Sequence, residues 1–239
     1  MASLLYADHY DINEHISIKI PTVGEIIDND EAYYELVCSI VATPYTMMVQ
    51  LDDAGIDYTK LTDFDLFCLL FGRLRTLDAS LVFGDLDLTK FEAAVNEENN
   101  RVVLVDQESG TVIDRGIHDQ ICKFIRKMLC MTREDKRPAN EEAKKYMIER
   151  ARKAQARLKR KKQGEHKSPL ETLIVALVNT EQFPYTYDTV RNITIYQFYA
   201  SLHQISHKIK YDNTMIGYYA GTVKFDDLAM EDRSWIKEN

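Results

Sequence analysis

The chain has 239 residues, enough for one large domain or two small ones. Hydrophobic residues make up 45% of it and charged residues 28%, which excludes an intrinsically disordered protein. The longest uninterrupted apolar runs, among them Leu66 to Phe71, have six residues, whereas a membrane-spanning helix needs roughly 20. The four cysteines form no CxxC pair, which favours reduced thiols over a disulfide framework.

The charge is distributed unevenly along the chain, whose net charge is −8. Residues 132–168 contain 14 Lys or Arg and 6 Asp or Glu, a local charge of +8, so the other residues together carry −16. The most basic block contains no acidic residue and has eight cations: Arg150, Arg152, Lys153, Arg157, Lys159, Arg160, Lys161 and Lys162. Such a block can bind nucleic acid or an acidic protein, lie against the acidic remainder of the chain, or face solvent.

Residues 1–130 are predicted to form a mainly helical domain that includes a small β-meander. Alternating apolar residues predict a strand over residues 13–20, after which Thr22 can cap a helix. Thr62, with Asp65 three positions later, is close to a capping box and opens a helix whose apolar run predicts burial. Between about residues 88 and 114, short β-rich runs separated by turn-forming residues predict the meander.

Residues 131–167 are predicted to be a charged connector, a basic helix that Asn140 can cap, and a linker. Residues 168–239 are predicted to be a helical unit, in which Thr194 starts the longest helix. The apolar residues of that helix step by 3, 4, 3 and 4 and are Ile195, Phe198, Leu202, Ile205 and Ile209. This spacing predicts one apolar face for packing against another helix. The predicted fold is therefore mainly α (α+β), with helical N-terminal and C-terminal units and the antiparallel meander between them.

No residue pattern indicates catalysis, a cofactor or a metal site. His203 and His207 share a helix face, but Gln204 stands where the zinc-protease motif needs Glu, and no third ligand is near in sequence. The sequence contains no GxSxG elbow and no phosphate-binding glycine loop. His118 and Asp119, at a predicted helix start, are interpreted as a cap. We therefore expect a protein that is not an enzyme.

Two parts of the chain resemble proteins from the tail morphogenesis region of tailed bacteriophages and prophages. The residues that carry the resemblance are 20–26, 42–57, 63–71, 194–198 and 211–221. The greatest similarity is to the tail assembly chaperones, which bind the tape-measure protein before the tail tube polymerises around it. The resemblance extends over about residues 16–75 and 168–236 and leaves out the meander and the basic helix.

The resemblance implies a non-enzymatic role in tail assembly, in the host cytoplasm, with the tape-measure protein or another tail protein as partner. Because a tape-measure protein is long and helical, its chaperone needs an exposed helix-binding face, and we predict that the stripe from Ile195 to Ile209 provides it. A homo-oligomer is compatible with this role. Two alternatives remain open: a structural component of the virion tail, neck or baseplate, and a nucleic-acid-binding protein that uses the basic helix.

Overall fold

The computed structural model describes residues 4–96, 100–161, 168–224, 226 and 228–236. These residues form a mainly helical fold with two small antiparallel sheets, which confirms the predicted fold class. The helices are α1 (Val23–Asp28), α2 (Asp30–Ile40), α3 (Met48–Asp53), α4 (Asp63–Leu74), α5 (Ser80–Phe83), α6 (Arg115–Met128), α7 (Glu141–Lys161), α8 (Pro169–Val178) and α9 (Ile195–Tyr219). The strands are β1 (His9–Asp11), β2 (Ser17–Lys19), β3 (Phe91–Asn96), β4 (Arg101–Asp106) and β5 (Val112–Ile113).

Four helices begin at the caps that the sequence predicts. Thr22, Thr62 and Thr194 each accept a hydrogen bond from the backbone N–H three residues later, and the side chain of that later residue bonds back to the cap. These are capping boxes, which satisfy N–H groups that the first turn of a helix leaves unpaired. Asn140 caps α7, since its Oδ1 accepts a hydrogen bond of 2.7 Å from the N–H of Ala143.

The two sheets lie at different places in the chain. The meander has the order β3-β4-β5, and Val95 faces Val102 across the β3–β4 pair. The predicted strand over residues 13–20 is shorter than expected, because only β2 is extended there, and it pairs with β1. Strand β1 was not predicted, since its three residues are too few to show an alternating pattern.

One hydrophobic core contains residues from both ends of the chain. Tyr33 and Phe67 from the N-terminal unit and Phe198 from α9 are all at most 1% exposed in it. Two backbone hydrogen bonds of 2.9 Å reinforce this packing. The N–H of Val23 donates to the carbonyl oxygen of Ile193, and the N–H of Ile195, the first residue of α9, donates to the carbonyl oxygen of Pro21. The first turns of α1 and α9 are therefore fixed to each other.

None of the helices in the described part of the chain combines the length and the apolar composition that a membrane span requires.

Candidate interaction surfaces

The first half of the apolar stripe on α9 is buried in the chain's own core. Ile195 and Phe198 have no exposed surface, Ile205 is 9% exposed, and Leu202 packs partly buried against the same core. The ring of Phe198 meets that of Phe183 edge-on at 6.4 Å. The prediction that these four stripe residues present a partner-binding surface is therefore wrong. Their spacing reflects packing of α9 on its own domain, since an amphipathic pattern is the same whichever surface covers it.

The same face of α9 continues beyond the core and becomes exposed. Ile209 is 43% exposed, Ile216 is 66% exposed and Tyr219 is 82% exposed. We call these three residues the distal stripe. Asp212 interrupts the apolar sequence of this face and forms an ion pair of 2.5 Å with Lys208. Of the distal stripe, only Ile209 was predicted from the sequence. Ile216 lies seven residues further on, so continuing the apolar spacing past Asp212 would have identified it.

The C-terminal segment, residues 228–236, packs along another side of α9. Nε2 of His207 lies 2.8 Å from the carbonyl oxygen of Ser234, and Nζ of Lys210 lies 2.6 Å from a carboxylate oxygen of Asp232. Each residue of a helix is rotated by about 100° from the one before it, so Lys210 and His207 point roughly 100° and 160° away from Ile209 around the helix axis. The segment therefore leaves the distal stripe uncovered.

His207, one of the two histidines that the sequence singles out on α9, takes part in this packing. The Nε2 atom of His207 is engaged with a backbone carbonyl oxygen, and the side-chain amide of Gln204 donates to the carbonyl oxygen of Trp235 at 2.8 Å. Within the described ranges, no group of three or more His, Cys, Asp or Glu side chains is arranged to hold a metal ion.

Helix α7 docks on the chain through one apolar side. Ile148 is 7% exposed, and it packs with the partly buried Met147 and Ala151 against a second, smaller core. The residues of that core outside α7 include Met48 and Leu51 of α3. The basic helix is therefore part of the folded domain along its first half.

Ion pairs flank the apolar contact of α7. Arg152 donates from Nη2 to Asp52 at 2.9 Å and from Nη1 to Asp53 at 2.7 Å. Nζ of Lys144 lies 2.9 Å from Asp57, and this contact, together with hydrogen bonds from Thr59, lowers the pKa of Asp57 to about 2. One side of the basic helix thus lies against the acidic remainder of the chain, one of the arrangements that the sequence left open.

The other predicted basic residues divide into two groups. The side chains of Arg150, Lys153, Arg157 and Arg160 are exposed. The side chains of Lys159 and Lys161, and the whole of Lys162, lie outside the described residues. No carboxylate among the residues that the structure describes forms a salt bridge with these exposed cations, so the side of α7 that faces away from the domain presents a row of cations without ion-pair partners.

A polar cleft of about 870 Å³ lies between the first turns of α4 and α6, strand β4 and the connector at residues 131–140. Three of its charged groups pair with one another: Arg133 donates to both carboxylate oxygens of Asp63, at 3.1 and 3.2 Å, and pairs with Asp135 at 2.9 Å. These three side chains therefore largely neutralise one another's charge.

His118 and Cys122 form a contact in this cleft that resembles a nucleophile and its base. Sγ of Cys122 is 3.3 Å from Nε2 of His118, but that nitrogen also lies 3.1 Å from the carbonyl oxygen of Ile40. His118 is 2% exposed and stacks on Phe67 at 4.4 Å. Burial lowers the pKa of His118 and raises the pKa of the Cys122 thiol to about 12, so the thiol stays protonated at neutral pH. The pair contributes packing.

The predicted cap at His118 and Asp119 is wrong. Helix α6 begins earlier, at Asp114, whose Oδ1 accepts a hydrogen bond of 2.8 Å from the N–H of Ile117. Asp119 lies within the helix and pairs with Lys123 at 2.7 Å. The aspartate four residues before His118 was the available sequence signal.

Comparison with known proteins identifies one part of the chain. Residues 159–238, which are 80 of the 239, match the family model described as the YomV second domain. Neither the curated proteins nor the solved structures gave a match. The matched range contains α8, α9 with its distal stripe, and the C-terminal segment. The YomV family is phage-associated. The C-terminal third of the chain is therefore similar to a phage-associated domain, the YomV second domain.

Proposed function

We propose that the protein acts without catalysis in bacteriophage tail assembly, as a chaperone that binds the tape-measure protein through the distal stripe of α9. The observation that carries this proposal is an exposed apolar helix face that lies within the part of the chain similar to a phage-associated domain. Exposed apolar faces of this kind bind amphipathic helices, whose apolar side chains recur every three or four residues. The packing role of His118 and Cys122 supports a function by protein contact.

The geometry of the distal stripe suits a helical partner. Ile209 and Ile216 are seven residues apart, about 10 Å along the helix axis, which matches the repeat of a second helix packed alongside. Tyr219 extends the surface, and its hydroxyl can remain in water at the edge of the contact. Completing the burial of the two isoleucines supplies on the order of 2–3 kcal/mol, which favours a complex that assembly can reverse.

The main alternative is that the protein remains in the particle as a component of the tail, neck or baseplate. Quantitative mass spectrometry of purified virions, together with a lysate of infected cells, separates the two roles. A chaperone is abundant in the lysate, in the host cytoplasm, and missing from virions. A fixed, ring-like copy number in virions would contradict the chaperone proposal and support the structural role.

A further inference from the structure

The exposed side of α7 carries a second regular stripe. Its members, which we call the basic stripe, are Tyr146, Arg150, Lys153, Arg157 and Arg160. Successive members are 4, 3, 4 and 3 residues apart, so they lie on one helix face and extend over about 21 Å. The docking residues Ile148 and Ala151 lie on nearly the opposite side of the helix, about 140–160° around it from Tyr146 and Lys153, which flank Arg150 on the stripe. The stripe therefore faces away from the domain along its whole length.

Every member of the basic stripe is available to a ligand. Tyr146 is 65% exposed, and the four cations are also exposed. In the part of the chain that the structure describes, no carboxylate pairs with any of the four, whereas Arg152, on the docking side, is held by Asp52 and Asp53. The ion pairs that join α7 to the rest of the chain therefore lie on its other side.

The residue types in the stripe favour a phosphate backbone with accessible bases. Three of the four cations are arginines, whose planar guanidinium binds phosphate oxygens in pairs. Neighbouring cations at this spacing have Cβ atoms about 5–6 Å apart, which gives a continuous row of positive charge. An exposed tyrosine in line with that row offers a surface on which an unpaired base stacks. An acidic peptide would use the charges but not the ring, and the bases of a duplex are already stacked on one another.

We infer that the basic stripe binds single-stranded nucleic acid, with the four cations on consecutive phosphates and Tyr146 stacked on a base. This inference is independent of the proposed tail-assembly function, because α7 lies almost entirely outside the range similar to the YomV second domain. Because the chain carries a net charge of −8, binding depends on the local charge of α7 and weakens steeply with salt.

The test is a fluorescence anisotropy titration of the full-length protein with a labelled oligothymidylate, repeated at several salt concentrations. Four phosphate contacts on a single strand predict a slope of about −3 for log K against log salt concentration. The affinity should therefore fall about 50-fold between about 50 and 200 mM salt. A labelled duplex of the same length and a labelled polyglutamate peptide are titrated in parallel and should both bind more weakly.

Two variants with the same change in charge locate the binding surface. The test variant reverses the stripe: Arg150→Glu, Lys153→Glu, Arg157→Glu and Arg160→Glu. The control variant reverses four exposed cations elsewhere: Arg115→Glu, Lys127→Glu, Arg137→Glu and Lys224→Glu. The test variant should lose oligothymidylate binding, and the control variant should keep most of it. Circular dichroism of both confirms that they are folded.

A second pair of variants tests the stacking contact. Tyr146→Ala should weaken oligothymidylate binding about tenfold, the usual effect of removing one stacked base, and Tyr146→Phe should retain it. The inference is overturned if the wild-type protein does not bind oligothymidylate at low salt, or if the control variant loses binding as completely as the test variant. Equal or tighter binding of the duplex or of polyglutamate, with no effect of Tyr146→Ala, also overturns it.

Discussion

Phe198 and Ile216 lie on the same face of α9, 18 residues and about 27 Å apart, yet Phe198 is completely buried whereas Ile216 is 66% exposed. The helix therefore carries one continuous face that performs two tasks. Its first half contributes side chains to the core of the domain, and its second half extends past that core with isoleucines still on the same side. Whether an apolar side chain on this face is buried or exposed therefore depends on its position along the helix and not on its residue type.

This relationship predicts that two alanine substitutions on one face of α9 have very unequal effects on stability. Phe198→Ala removes a buried ring and should lower the free energy of unfolding by about 3–5 kcal/mol. Ile216→Ala removes a side chain that lies mostly in solvent, and it should change the free energy of unfolding by no more than about 0.5 kcal/mol. Urea unfolding of both variants measures the difference. Comparable destabilisation by the two substitutions would show that the end of α9 is covered in the folded protein.

Alanine substitutions at two glycines test the contact between α1 and the 3₁₀ turn Val190–Asn192 that precedes α9. A Cβ atom at Gly24 would lie 3.0 Å from the carbonyl oxygen and 3.2 Å from the Cβ of Arg191, whereas one at Gly72 in α4 would meet no atom within 4 Å. Gly24→Ala should therefore lower the free energy of unfolding by about 1–3 kcal/mol. Gly72→Ala is the matched control and should raise it by up to about 1 kcal/mol, because alanine favours helix. Urea denaturation of both variants checks the two signs, and stabilisation by Gly24→Ala would contradict the packing described.

The docking of α7 should depend on its apolar contact more than on its ion pairs. Ile148→Ala leaves a cavity against α3 and should lower the free energy of unfolding by about 2 kcal/mol or more. Arg152→Ala should have almost no effect, because its pairs with Asp52 and Asp53 lie in solvent. Chemical denaturation monitored by circular dichroism distinguishes the two. A larger loss for Arg152→Ala would mean that charge, and not burial, holds the helix.

Acidification should destabilise the protein through His118. Burial lowers the pKa of His118 in the folded state, and this effect exceeds the opposing effects of the hydrogen bond with the carbonyl oxygen of Ile40 and of the charge on Asp63. The unfolded chain then binds a proton that the folded chain does not, so stability is lost as the pH falls below about 6.5, by at most about 1.4 kcal/mol per pH unit.

The control for this titration is His118→Gln, which retains a donor for the carbonyl oxygen of Ile40 but does not titrate. Urea unfolding at pH 7.5 and pH 5.5, both about one unit from the ordinary histidine pKa, should show a greater loss of stability for the wild-type protein than for the variant. Equal losses would show that another group causes the pH dependence.

Local patterns in the sequence predicted helix starts well and tertiary contacts poorly. Thr22, Thr62 and Thr194 act as caps because a capping box needs only residues three positions apart. The ion pairs of Arg152 join residues about a hundred positions apart in the chain, and local spacing contains no information about them. The helix that Thr22 was predicted to cap ends at Asp28, and a second helix, α2, begins at Asp30.

The apolar face of α9 shows the same limit for the interaction surface. The spacing of its apolar residues predicted that one side of the helix packs against another surface. The spacing cannot show whether that surface belongs to the same chain or to a partner. The burial of Ile195 and Phe198 assigns the first half to the domain. The exposure of Ile216, which follows Asp212 in the pattern, indicates a surface that the sequence alone did not identify.

The most direct test of the proposed function is isothermal titration of the full-length protein with helical segments of the tape-measure protein from the same phage genome. The test variant combines Ile209→Asp and Ile216→Asp, and the matched control combines Leu69→Asp and Val175→Asp, which are 55% and 52% exposed on other helices. The wild-type and control proteins should bind one segment with similar affinity, and the test variant should bind it at least about 100-fold more weakly, the effect of placing charge in an apolar contact. Equal binding by the test variant, or no binding of any segment by the wild-type protein, would contradict the proposal.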